Sequence, residues 1–158
     1  METAMSFEDL IRRMTQAACA GDGAGVAACF TPQGVYHDVF YGAFQGVEIV
    51  GLIEGHFHRD GRDFRWDVHD PVTDGDTGYA RYVFSYASRL DGYGDRRACF
   101  EGVAVCKLRD GLIHEYKEVA NAATGLSLIG FEDARVAKFI AREARDLLAR
   151  DEASGHLT

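Results

Sequence analysis

Tyr36 and Asp38 stand two apart in residues 35–41, and Tyr116 and Glu118 stand two apart in residues 112–120. Both stretches are rich in β-branched and aromatic residues, the composition of strands. Alternate side chains of a strand point to opposite faces. Each stretch therefore sets a phenol and a carboxyl on one face, with His37 on the other. A carboxyl among apolar groups resists ionisation, and a carboxyl with a raised pKa can take or give a proton beside a carbonyl. If these four side chains converge on one dry hollow, the chemistry on offer is acid–base catalysis by carboxylates. Asp38 is then the general base or acid, Tyr36 a hydrogen-bond donor and Glu118 a second polar group across the hollow. The plainer alternatives are that Asp38 only accepts backbone amides beside a turn and that Glu118 is a solvated edge acid.

The elements that must position these groups follow from periodicity. Residues 96–121 form two alternating apolar segments around Arg109-Asp110-Gly111, and Asp-Gly between such segments is a strong hairpin signal. Asn121 closes the second arm. Upstream, Ser6 and Asp9 make a capping-box start, and Phe7, Leu10, Ile11, Met14, Ala17 and Ala18 recur at helical spacing. Asp22 is placed to cap a short second helix through Val26, Cys29 and Phe30, which Thr31-Pro32-Gln33-Gly34 breaks. A third helix is expected over residues 47–57 with Val50, Ile53 and Phe57 buried, followed by a charged turn at residues 59–62.

Phe64, Trp66 and Val68 then alternate with polar residues, Thr73-Asp74-Gly75-Asp76 turns the chain, and residues 78–90 form a long strand. Tyr82, Phe84 and Tyr86 share one face of it, as core or cavity wall. A last helix is expected from about residue 131 to 150 with Val136, Ile140 and Leu147 as its stripe. The order is three helices interrupted by one strand, a four-strand antiparallel run and a helix: an α+β chain. Both faces of the strands carry large apolar groups, so the helices cover one, and a partner subunit or the curl of the sheet covers the other.

At 158 residues the chain is expected to be one domain over residues 1–150, with a frayed tail over 151–158. Twenty-five acids against seventeen bases give a net charge of −8, and no basic stripe offers itself to a nucleic acid or an acidic membrane surface. Cys19, Cys29, Cys99 and Cys106 lack metal-site spacing and sit among apolar neighbours, as reduced buried thiols would. His56 and His58 diverge on their helix, and no metal or other cofactor is expected. The N-terminus, with Glu2, Glu8 and Asp9, lacks the order of a signal peptide, and no segment approaches the ~18 apolar residues of a membrane span. A cytoplasmic protein is expected.

Ala20-Gly21-Asp22, the stretch from Phe30 through Tyr36-His37-Asp38, Gly42-Ala43-Phe44-Gln45-Gly46 before a helix, and Asp110-Gly111 through Asn121 with Leu126-Ser127-Leu128-Ile129-Gly130 following carry a resemblance. Over about residues 6–131 the chain resembles the nuclear-transport-factor-2-like superfamily, and within it the SnoaL-like group. The resemblance implies a cone-shaped, strongly bent antiparallel sheet packed on the N-terminal helices, a cystatin-like α+β roll, here with an extra C-terminal helix. It also implies a cavity for a small hydrophobic molecule, with Trp66, Tyr116, Asn121 and Met14 as binding residues, and a homodimer through the outer sheet face.

Asp38 falls where the superfamily's ketosteroid isomerases place their proton-shuttling carboxylate. Their oxyanion donors fall at Met14 and Ala104, which cannot donate, so a true ketosteroid isomerase is not expected. Tyr116-Lys117-Glu118 is similar to the last-strand run of limonene-epoxide-hydrolase-like members, whose Arg-x-Asp pair is absent from Ser85-Tyr86-Ala87-Ser88. Asp22 matches the aspartate of the dehydratase members, whose histidine has no counterpart at Phe64 or Arg65. Two readings follow: a cofactor-independent isomerase, cyclase or lyase acting on a hydrophobic oxygenated molecule, and a non-catalytic ligand-binding or assembly module of the same fold.

Overall fold

The computed structural model describes residues 4–157; Glu2 of the acidic N-terminus and Thr158 of the expected tail lie outside them. Helix α1 (Phe7–Ala20) starts where Ser6 Oγ accepts from the Asp9 amide at 3.1 Å. It stops at Gly21, whose φ of 75° is backbone that glycine adopts without a Cβ penalty. Its buried stripe includes Phe7, Leu10, Ile11 and Met14. Asp22 caps α2 (Gly23–Ala27) by accepting from the Gly25 amide at 2.9 Å.

Strand β1 (Phe30–Asp38) starts where the second helix is expected to run on and break. A bulge between Phe30 and Val35 takes up Pro32 and Gly34, and β2 (Gly42–Gln45) pairs only with Val35–Asp38, so Pro32 faces no ladder partner there. The third helical stretch is α3 (Glu48–Gly51), a π-helical turn (Leu52–Phe57) and α4 (His58–Asp60). Ile49, Leu52, Ile53 and Phe57 are buried, while Val50 lies at the edge of this stripe against Gly23 and is only partly so. The expected charged turn at 59–62 is instead the end of α4 and the start of β3 (Gly61–Thr73).

Strands β3, β4 (Thr77–Ser88), β5 (Arg97–Arg109) and β6 (Leu112–Ala120) form the antiparallel run. The sheet is larger than that run. Its order is β2-β1-β6-β5-β4-β3, with β1 parallel to β6. The curved sheet and helices make one mixed α+β fold. On its inner face Ala80, Tyr82 and Phe84 of β4, Phe100 and Ala104 of β5 and Tyr116 of β6 pack against Leu10, Met14 and Leu52 of the helices.

Two short elements were not anticipated: β2, and α5 (Ala122–Leu128), which packs on β5. The last helix, α6 (Asp133–Leu148), departs from its expected stripe: Ile140 is 51% and Leu147 46% exposed, and Phe139 is the buried residue. Periodicity identifies an amphipathic helix, but α6 docks by the Phe139 side onto Phe40, ring centroids 5.4 Å apart. Asp151–Ala153 form one short 3-10 turn.

Candidate active site

Tyr36 lies opposite Tyr116 where β1 runs parallel to β6, so Asp38 and Glu118, two residues on, project from adjacent strands to the same inner side. β5 sets Ala104 against Glu118, and its lack of a side chain beyond Cβ leaves room above the acid. On the next strand Tyr82 lies opposite Gly102. A Cβ built at Gly102 would stand 2.7 Å from the Tyr82 hydroxyl, so glycine lets that ring lie across the sheet toward β6. Tyr36, Asp38, Trp66, Tyr82 and Glu118 thereby line one cleft.

Asp38 sits where β1 turns toward β2. Its Oδ2 accepts from the amides of Phe40 and Tyr41 at 2.9 and 3.1 Å, and among the described residues no hydrogen bond is made to Oδ1. Burial pushes its pKa up to about 6, against the pull of those two amides and of the Arg142 guanidinium. Glu118 accepts from the Tyr116 hydroxyl at 2.6 Å. Burial first, and then the Asp38 charge, push its pKa up to about 8, so at neutral pH it holds its proton and can donate. Both residues retain some accessible surface, because they also border a groove beside α6, yet their carboxyls are enclosed.

Two phenols complete this end of the cleft. The hydroxyls of Tyr36 and Tyr82 are buried and make no hydrogen bond among the described residues. Tyr82 points toward Glu118 closely enough to feel its charge, but without the geometry of a completed bond. Burial raises both phenol pKa values far above the ordinary range, so both remain donors at any working pH. An unpaired buried hydroxyl costs about 1–3 kcal/mol, which a ligand oxygen accepting from it would recover.

At the other end Tyr41 donates to Asp60 Oδ2 at 2.7 Å, and Arg59 holds the same carboxyl at 2.7 and 2.8 Å. The Arg59 bond is the main cause that keeps the Asp60 pKa below the usual carboxylate range. Between these poles the walls are rings. Phe84 and Phe100 lie edge-on at 5.4 Å, and Phe40 and Phe100 at 5.9 Å. The rings fill most of the space and leave about 30 Å³, room for a water or two. Asp38, Val39 and Glu118 also border a groove of about 700 Å³ between α6 and the sheet, in the range of small-molecule sites. The two acids therefore stand where a narrow aromatic cleft meets a wide groove.

Of the residues expected at the site, Asp38, Glu118, Tyr36 and Trp66 line the cleft, while Tyr116 stands behind it as the donor to Glu118. Met14 and Asn121 do not line it. Met14 is fully buried in the helix-to-sheet core, and Asn121 is exposed at the start of α5, where the chain has left the sheet. Unforeseen members are Tyr41 and Asp60, whose pairing depends on the π-helical turn, and Arg142, which donates to the Val39 carbonyl at 3.1 Å from α6. Tyr82, which strand parity puts with Phe84 and Tyr86 as core or cavity wall, lines the cleft with both of them. Among the described residues no three His, Cys, Asp or Glu side chains cluster as a metal site would require. No helix among them is long and apolar enough to cross a membrane.

Residues 11–116 match the SnoaL-like domain. No curated protein matches the chain in sequence. A protein of ketosteroid isomerase-like fold from Catenulispora acidiphila, solved in complex with trimethylamine, superposes with a TM-score of 0.71 at 12% identity, over 80% of this chain and 96% of its own. IdmH from Streptomyces antibioticus, a proposed polyketide cyclase, gives 0.64 at 20% identity, over 78% of this chain and 98% of its own. A proposed polyketide cyclase from Silicibacter sp. gives 0.62 at 20% identity, over 78% and 95%. At such identities the likeness is one of fold. With the domain match spanning more than half of its length and the mixed sheet folded over N-terminal helices, the chain belongs to the SnoaL-like family and has the nuclear-transport-factor-2-like fold.

Proposed function

We propose that the junction of cleft and groove is the active site of a cofactor-independent isomerase or cyclase acting on a hydrophobic carbonyl compound. The observation that carries this reading is the meeting of two carboxyls of raised pKa with two unpartnered, buried phenols. The free Oδ1 of Asp38 takes a proton from the carbon next to the carbonyl, and the C–H electron pair moves into the enolate. The oxygen that gains charge receives hydrogen bonds from Tyr36, Tyr82 and protonated Glu118. These groups supply the oxyanion stabilisation that Met14 and Ala104 cannot. Asp38 then returns the proton to another carbon, or the enolate carbon attacks a second carbonyl, whose π pair moves to its oxygen, and that alkoxide takes the proton from Asp38 as the ring closes. The bulk of the substrate lies in the groove, because the cleft is too filled by rings to hold it.

Deuterium uptake at the α-carbon tests this. A panel of cyclic ketones and aromatic 1,3-diketones is incubated in D₂O and followed by NMR. Asp38→Asn is expected to slow enzyme-dependent exchange by about 10²–10⁴-fold; exchange unchanged in that variant would remove Asp38 from the mechanism. The tight cleft also favours a second reading, a binding module of the same fold. Saturable ligand binding with no exchange and no product by mass spectrometry would favour it. We further infer a homodimer through the outer sheet face, supported by Tyr79, Val103 and Val119, which are exposed there; Tyr79 and Val119 also line the groove, so the partner closes it over the ligand.

A further inference from the structure

We propose that the aromatic cleft receives a cationic ammonium group, so that the natural ligand of this site carries a tertiary or quaternary amine. The inference deepens the reading above and rests on it for the location of the ligand, but it is argued from the lining of the cleft in this chain. Ten of its fifteen lining residues are aromatic, three are the acids Asp38, Asp60 and Glu118, and none is lysine, arginine or histidine.

The faces of aromatic rings are electron-rich and attract a cation most strongly where water is excluded. Asp60 already has its counter-ion in Arg59. Asp38 makes no ion pair among the described residues: its Oδ2 rests on two backbone amides, and the Arg142 guanidinium, whose charge acts on it from a distance, donates instead to the Val39 carbonyl. A neutral ligand would leave Asp38 without an ion-pair partner among the rings, an anionic one would be repelled, and a cation would pair with it. The unpartnered hydroxyls of Tyr36 and Tyr82 add two oxygen lone-pair acceptors at the same end.

The arrangement also suits the chemistry. An ammonium held beside Asp38 keeps that carboxyl ionised, which is the form that abstracts a proton. It also acidifies C–H bonds nearby. A trimethylammonium-sized head enters only if the Phe40 and Phe100 rings turn aside to widen the cleft. The rest of the ligand then extends past Asp38 and Glu118 into the groove, whose Lys107, Lys117, Glu115 and Glu143 form a mixed-charge lining.

The test uses an isosteric pair, choline and 3,3-dimethylbutan-1-ol, which differ by a charged nitrogen in place of a carbon. Binding to the full chain is measured by calorimetry and by the fluorescence of Trp66, the one tryptophan, which lines the cleft. Choline is expected to bind about tenfold or more tighter than the alcohol. Asp38→Asn should abolish that preference without weakening the alcohol, and Glu143→Gln, in the groove, should not change it. Equal binding of the two probes, or loss of the preference in Glu143→Gln rather than Asp38→Asn, overturns the inference while leaving the cleft as a ligand site. No Trp66 response to either probe at concentrations approaching molar overturns both the inference and the location on which it rests.

Discussion

Glu118 is a carboxylic acid kept protonated near neutrality by its surroundings, and that has a cost in stability that can be measured. Its pKa is about 8 in the folded chain against an ordinary 4.5, and that of Asp38 is about 6 against 3.8. The folded state thus binds these protons more tightly than the unfolded state does. Their contribution to stability is complete below the unfolded values and is lost as pH rises, through about 6 for Asp38 and about 8 for Glu118. Each tenfold gain in proton affinity on folding corresponds to about 1.4 kcal/mol, and part of the gain at Glu118 belongs to the Asp38 charge, which leaves a loss on the order of 3 kcal/mol for Glu118 itself. His37, whose pKa burial lowers, acts in the opposite sense below pH 6.5. Subtracting wild type from Glu118→Gln cancels it. In thermal melts from pH 5 to 9 the variant is expected to match wild type at the acid end and exceed it at the alkaline end. Parallel curves would show that Glu118 is already ionised at neutral pH.

At the scale of the element, the decisive feature is the glycine in β5 that gives a ring on β4 its path. Gly102→Ala places a Cβ against the Tyr82 hydroxyl, 2.7 Å away, and against the Ala120 Cβ at 2.9 Å. The ring must swing off its rotamer, at a cost of about 1–3 kcal/mol in stability. If Tyr82 is one of the oxyanion donors, α-proton exchange falls by about tenfold or more beyond that loss, measured at a temperature where the variant is fully folded. A variant that loses stability but keeps its exchange rate would exclude Tyr82 from the reaction. The inner face of β1 matters for the same reason: its parallel pairing with β6 brings Tyr36 level with Tyr116, so the two acids follow side by side.

For the molecule as a whole, the outer sheet face, which also walls the groove beside α6, stays largely open within one chain. Tyr79 lies opposite Val105 and Val103 opposite Val119, with Val119 71% and Tyr79 46% exposed. Exposed apolar clusters of this kind mark interaction surfaces. Sedimentation is expected to give twice the chain mass of 17.4 kDa. The double variant Val103→Glu/Val119→Glu, carrying like charges opposite each other, should sediment as a monomer with its far-UV circular dichroism unchanged. A wild-type monomer at tens of micromolar would remove the dimer.

What the sequence by itself determined was local. Alternation at 36 and 38 and at 116 and 118 sets each phenol beside its carboxyl, because strand geometry has a period of two wherever the strand lies. The Ser6 and Asp22 caps and the Asp110-Gly111 turn are legible for the same reason: each is made within four residues. The tertiary structure alone decided which strands are neighbours. It put Glu118 against Ala104, so that an acid from β6 stands where β5 has only a methyl group, and it brought Asp60 to Tyr41 through a π-helical turn that no spacing rule anticipates. It also chose the Phe139 side of α6 over the stripe of Ile140 and Leu147, since an amphipathic pattern reports that a helix has an apolar side but not what that side will meet. Pairings between residues far apart in the chain depend on loop lengths and bulges summed along the way, and that sum is settled only when the sheet closes over the helices.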